Sequence, residues 1–280
     1  MLVPLAGGGQ ETLLSEVGFV LLPFFTTRDA CALRLVCREF LAAVSEHPWG
    51  DRGTVIQGSI AAWRACFPHA RCANVQRYEW GSGPNKRSAP VVDADFVHFE
   101  GLQELYMDGC TGVTDAAFVH LRSIHTLDMS GCDQTAITDA AFAHLAGIQR
   151  LSIAACNQAT ITDAAFAHLR GIQPLNISEC IQLTDAAFVH LRGIHTLYMW
   201  DCDQPAITDA AFAHLRGVHT LVLEYCSQAT ITGAIFSSLK GVSMMAMIGC
   251  SADAIVTARS LGLPVFLGHR IRGAFTYKPR

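Results

Sequence analysis

The chain has 280 residues, of which 51% are apolar and 16% charged, and its formal charge is −4. That length and apolar content supply a sizeable core and exclude wholesale disorder. The near-neutral charge, with no long basic run, argues against nucleic acid as a partner. The sequence opens on MLVPLAGGG and its first basic residue is Arg28, so the charged flank of a signal peptide is missing. Residues 1 to 12 read as a flexible N-terminus. Pro23 and Arg28 bound the apolar run from Val17 to Phe25, which is too short to span a membrane. The expectation is an intracellular protein, cytoplasmic or nuclear, with no membrane partner. Its eleven cysteines, spread along the chain, read as reduced thiols.

Residues 13 to 50 read as a small helical module. Leu13, Val17, Leu21 and Phe25 fall four apart, and Leu33, Val36, Cys37, Phe40 and Leu41 form a second helical stripe after a turn at Thr26 to Asp29. The opening Leu13, Leu14, Ser15, Glu16, then Asp29, then Val36, Cys37, Arg38 and Phe40 resembles the F-box, with Leu14 where that family has proline and Pro23 late in the first helix. The resemblance implies a substrate receptor of a cullin-RING ubiquitin ligase. It implies that a Skp-family adaptor, and through it the cullin complex, is bound by Leu13, Glu16, Val17, Leu21, Asp29, Leu33, Val36 and Cys37. The alternative is that these helices only cap the hydrophobic core of the remaining chain.

Residues 51 to 91 read as a degenerate capping repeat and loop, with Trp63 in a column of aromatic residues and Ala70, Ala73 and Val75 on a strand. From 92 to 256 the chain repeats itself. Cys110, Cys132, Cys156, Cys180, Cys202, Cys226 and Cys250 align at steps of 22, 24, 24, 22, 24 and 24 residues, the period of a solenoid. Within a unit, Thr162 caps a short helix, Asp163 suits its positive end, Arg170 and Gly171 close it, and Ile161 and Phe166 have the spacing of a hydrophobic staple. The period then changes to two, with Leu197 and Met199 on one face and Thr196, Tyr198 and Trp200 on the other. Segments such as LQELYMDGC and IHTLYMWDC resemble the cysteine-containing leucine-rich repeat. The expected fold class is α/β, a leucine-rich repeat horseshoe with a parallel sheet inside and short helices outside, preceded by the all-α module. Residues 257 to 280 read as a last helix and strand followed by a tail.

Nothing in the columns reads as catalysis. Each unit supplies one thiol and there is no CxxC pair, so the cysteines read as buried, reduced and metal-free. The column His98, His120, His144, His168, His190 and His214 lies toward the outer face and reads as surface histidines. With no phosphate loop, triad or paired carboxylates, the protein is expected to be neither an enzyme nor a cofactor binder. Information sits where the copies differ, at the outward strand positions of the concave face. Tyr106, Asp128, Asn176, Tyr198, Trp200, Asp201, Glu224 and Tyr225 are the candidate contacts to a target protein, aromatic anchors beside acids that suit a basic partner segment.

Overall fold

Strand pairing follows the sequence repeat. The computed structural model describes residues 21–77, 89–239 and 241–268. In it β1 (Cys72–Asn74), β2 (Glu104–Tyr106), β3 (Thr126–Asp128), β4 (Arg150–Ser152), β5 (Pro174–Asn176), β6 (Thr196–Tyr198), β7 (Thr220–Val222), β8 (Met244–Ala246) and β9 (Val265–Phe266) form one parallel sheet in chain order. The central strand residues are in register: Ala73, Leu105, Leu127, Leu151, Leu175, Leu197, Leu221, Met245 and Val265 each pair with the next. From Ala73 to Met245 this column is buried to 1% exposure or less, so each added repeat extends one continuous core.

Opposite the strands runs a second buried row, Phe118, Phe142, Phe166, Phe188, Phe212 and Phe236. Burying one such ring contributes about 1.5–3 kcal/mol. The rings hang from helices of one or two turns, some α (Asp139–Phe142, Asp185–Phe188, Asp209–Phe212) and some 3-10 (Asp115–Leu121, Asp163–His168). The strands lie about 4.8 Å apart, whereas packed α-helices need about 8–10 Å. Short and slender helical turns let the outer row keep pace with the inner one.

Adjacent helices are tied by a ladder that local patterning does not reveal. Thr162 caps its helix by accepting from Ala164 N, and donates from its own N and Oγ1 to the two carboxylate oxygens of Asp139, one repeat earlier, each at 2.7 Å. Asp93 with Thr114, Asp115 with Thr138, Asp163 with Thr184, Asp185 with Thr208 and Asp209 with Thr232 repeat the arrangement. The helix-start aspartates thus do more than favour a dipole. Each is the acceptor that docks the next repeat.

The ends use different chemistry. Helix Ile60–Cys66 with β1, and helix Ala252–Ser260 with β9, flank the seven regular units. Before them, helices Thr27–Leu33 and Arg38–Glu46 send Ala30, Ala43 and Val44, and the flanking turns send Leu22 and Trp49, into the same core as the repeats. Trp49 Nε1 donates to Val44 O at 2.8 Å, and its ring meets Phe67 edge-on at 5.7 Å. The expected turn at Thr26 to Asp29 is instead a helix start, with Thr26 and Asp29 forming a capping box. The expected single stripe from Leu33 to Leu41 is broken, because Val36 N closes the first helix on Leu33 O and Cys37 is extended at φ −159°. A parallel sheet with one short helix per strand, buried leucines in register and period-defining cysteines make this an α/β leucine-rich repeat solenoid. No described helix is long and apolar enough to cross a membrane.

Candidate functional site

The concave face is more closed than its sequence pattern implies. Tyr106, Asp128, Tyr198 and Glu224 are buried, Asn176 and Trp200 are half-buried, and Asp201 and Tyr225 are exposed. Strands so closely spaced crowd the side chains of a concave face against one another. Tyr198, Val222 and Ala246 form a small apolar cluster of their own on that face. Polar rails run beside it. Asp128 accepts from Ser130 N and Oγ, Asn176 accepts from Ser178 N and Oγ, and Ser178 Oγ accepts from Trp200 N at 3.2 Å. Nearer the N-terminal end Tyr106 donates to Glu104, which Arg52 grips with a two-pronged ion pair. The members that keep accessible surface are thus Asn176 on β5, Trp200 and Asp201 just beyond β6 and Tyr225 just beyond β7, whereas Tyr106 on β2 and Asp128 on β3 are buried.

Asp108 is the acid that sequence patterning passed over. It stands two residues beyond Tyr106 at 6% exposure. Burial, and then the charge of Asp128, push its carboxyl up to about 8. Asp128 is raised by burial as well, against the lowering effect of its two bonds from Ser130. The other repeats place Ser130, Ala154, Ser178, Trp200, Glu224 and Ile248 there, so only the buried Glu224 repeats the acid.

At the rim, the residue before each column cysteine has positive φ. Three repeats use glycine, but Ala155, Glu179, Asp201 and Tyr225 hold φ between 56° and 60°. The Tyr225 ring leans over Gly249, where an added Cβ would come within 2.5 Å of it. The cysteines themselves point inward. Cys132, Cys156, Cys180, Cys202, Cys226 and Cys250 donate to the carbonyls of Met107, Met129, Ile153, Ile177, Met199 and Leu223, one repeat earlier, at 2.7–3.3 Å. Gln134, Gln158, Gln182, Gln204 and Gln228 tie the same connectors by donating to backbone carbonyls of the preceding repeat.

Burial pushes the Cys202 thiol up to about 12 and that of Cys180 well above its ordinary value, so thiolate is suppressed. Native thiol titration is expected to modify the exposed Cys31 first, followed by the half-buried Cys37 and Cys66. Cys110, Cys132, Cys156, Cys180, Cys202 and Cys226 should react only on denaturation; fast modification in the folded chain contradicts this packing. Among the described residues, no group of three or more His, Cys, Asp or Glu is placed to hold a metal ion.

The helical module presents a different surface. Leu21 is 44% exposed and Val36 66%, while Leu33 turns inward to pack against the core. Asp29 is engaged in the capping box, and Cys37 is half-buried as the residue before the second helix. Leu13, Glu16 and Val17 lie outside the described residues. The structure adds Phe24 at 83% and Leu35 at 88% exposure, with Phe25 next to the first and Leu41 on the following helix also exposed. Leu35 stands in the break between the two helices, where reading one uninterrupted helix hides it.

No protein-family model and no curated protein matches this chain. Among solved structures, it is similar to TLR13 in the TLR13–ssRNA13 complex, at 18% identity over 68% of this chain and 30% of that one, with a TM-score of 0.49. It is similar to a chain of the Rad7 and Elc1 complex in yeast, at 18% identity, 62% and 44% coverage and a TM-score of 0.42. An internalin C2 from Listeria monocytogenes str. 4b F2365 is 19% identical over 66% of this chain and 83% of that one, with a TM-score of 0.45. The chain thus spans under a third of the TLR13 chain and under half of the yeast one.

Proposed function

We propose that the chain is the substrate-recognition subunit of a cullin-RING ubiquitin ligase, working in the cytoplasm or nucleus. Its N-terminal helices bind a Skp-family adaptor and its concave face binds a target protein. The observation that carries this reading is the apolar surface of the helical module. A cap needs only the side that faces the repeats, and Leu22, Ala30, Val44 and Trp49 serve there. Phe24, Leu35 and Val36, at 83%, 88% and 66% exposure, do nothing for the solenoid. Large apolar side chains left this open on so short a module support an interaction role for it. In the F-box reading Leu21 and Val36 contact the adaptor, Leu33 supports them from below, and Asp29 fixes the start of the helix between them.

Target binding falls to Asn176, Trp200, Asp201 and Tyr225, with the buried Tyr198 and Glu224 beneath them; Tyr106 and Asp128 lie apart, toward the N-terminal end of the sheet. The chain performs no bond chemistry of its own. It tethers the target, raising the effective concentration of target lysines at the ligase. The core shared by module and repeats favours a second reading, a non-catalytic binding protein whose helices are only a cap.

Calorimetric titration of the intact chain with a purified Skp-family adaptor separates the two. The expected result is a one-to-one complex that Leu35→Asp abolishes, because a charge forced against an apolar partner surface costs several kcal/mol. Leu35 is exposed, so the variant should keep its fold. A folded chain that takes up no adaptor leaves the cap reading in place.

A further inference from the structure

A second column of charge lies at the edge where each helix turns toward its strand. Arg122, Arg170, Arg192 and Arg216 come directly after the buried leucine of their repeats; the position is Glu100, paired with His120, one repeat before Arg122, and Ala146 between Arg122 and Arg170. All four are exposed, and none makes a hydrogen bond or ion pair with a described residue. Nor does the local sequence supply a counterion: segments 119–126, 143–150, 167–174, 189–196 and 213–220 contain no Asp or Glu. The acids of the same helices sit at their other ends, where they accept from threonines of the next repeat. Charge on these helices is therefore segregated: the aspartates at their starts are consumed by structure and the arginines at their ends are left open. Between two neighbouring members the surface dips into a groove of about 340 Å³ lined by Arg170, Gly171, Val189, His190 and Arg192.

We propose that this edge is a docking surface for an extended acidic polypeptide segment carrying carboxylates at alternate residues. The reason is pitch. Strands at the inner face repeat at about 4.8 Å, and the slender outer turns lie further apart than that but closer than the roughly 8–10 Å of packed α-helices, so the edge between them repeats at about 5–8 Å, a range that contains the spacing of alternate residues in an extended chain. An extended chain rises about 3.4 Å per residue and returns to the same side every second residue, about 6.8 Å on. One carboxylate then meets one guanidinium per repeat over the uninterrupted run Arg170, Arg192 and Arg216, and each guanidinium can grip its carboxylate with two parallel hydrogen bonds. A nucleic-acid strand also offers regular anions, but unpaired bases bind by stacking on aromatic side chains. The exposed apolar neighbours of this edge are Val119 and Val189, and no exposed Phe, Tyr or Trp accompanies them among the described residues. The overall charge of −4 further disfavours a long polyanion, whereas a short segment feels mainly the local row, because screening sets in at about 8 Å in physiological salt. This surface is separate from the concave face and the helical module and does not depend on adaptor binding.

Fluorescence anisotropy with a labelled peptide of alternating glutamate and serine, about twelve residues long, tests the proposal on the full chain. The wild type is expected to bind it, with affinity falling at least about tenfold between about 50 and 300 mM salt. Arg170→Glu with Arg192→Glu should weaken binding at least about tenfold while circular dichroism stays unchanged. Arg170→Gln with Arg192→Gln, which removes charge without reversing it, should weaken binding by a smaller factor. Arg259→Glu, at an exposed arginine of the last helix, should leave binding as it was. The proposal is overturned if the wild type ignores the peptide, if the double variants bind it as the wild type does, or if Arg259→Glu costs as much as they do. It is also overturned if a single-stranded oligonucleotide of equal charge binds the same edge more tightly.

Discussion

Asp108→Asn is expected to stabilise the folded chain at and above neutral pH and to flatten its pH dependence. The folded carboxyl is pushed up to about 8 from an ordinary value of 3.8, so the native state holds the proton more tightly than the unfolded chain does. The contribution of Asp108 to stability is then fully present below about pH 4 and is lost as pH rises through about 8, where a buried carboxylate must form beside Asp128. A shift of this kind is worth on the order of a few kcal/mol. Asparagine keeps the shape and removes the charge; Asp128, itself raised by burial, leaves a residual slope of the same sign. Urea unfolding at about pH 5 and pH 8.5 reads the effect directly. A variant less stable than wild type at both values shows that the Asp108 carboxylate is stabilised in the fold.

Trp200→Ala should remove about 2 kcal/mol or more of target binding, roughly a thirtyfold loss of affinity. Trp200 lies between the exposed Asp201 and the buried Tyr198 and Met199, with its backbone NH bonded to Ser178 Oγ. Being half-buried, it should cost about 1–2 kcal/mol of folding stability, less than the roughly 3–5 kcal/mol of a fully buried aromatic. A thermal melt beside a binding titration distinguishes the two losses. A variant that melts as if a core ring had been cut out, or that keeps its affinity, removes Trp200 from the recognition surface.

The period of the cysteines and the leucine column are legible because the same residues recur at fixed steps, and the threonine caps because each depends on residues within one repeat. The contacts between repeats are not. Asp139 reads as a helix-start residue, and its partner Thr162 stands 23 positions away, beyond any local pattern. Alternation likewise separates the two faces of a strand without saying how tightly the outward one is curved, so it overstates the openness of Tyr198 and Glu224. At the N-terminus, apolar spacing suggests a single stripe through Leu33 and Val36. The extended backbone at Cys37 divides it, turning Leu33 inward and Val36 outward.

The central claim is that one rigid scaffold carries two independent surfaces, the apolar helical module for an adaptor and the concave face for a target. Affinity purification of the full-length wild type, Leu35→Asp and Trp200→Ala from the same cells, with quantification of every partner, tests it most directly. The account predicts that Leu35→Asp loses the Skp-family adaptor and cullin but keeps the target, whereas Trp200→Ala loses the target and keeps the adaptor. If either variant loses both, or if the wild type brings down no Skp-family adaptor, the two-surface account is contradicted.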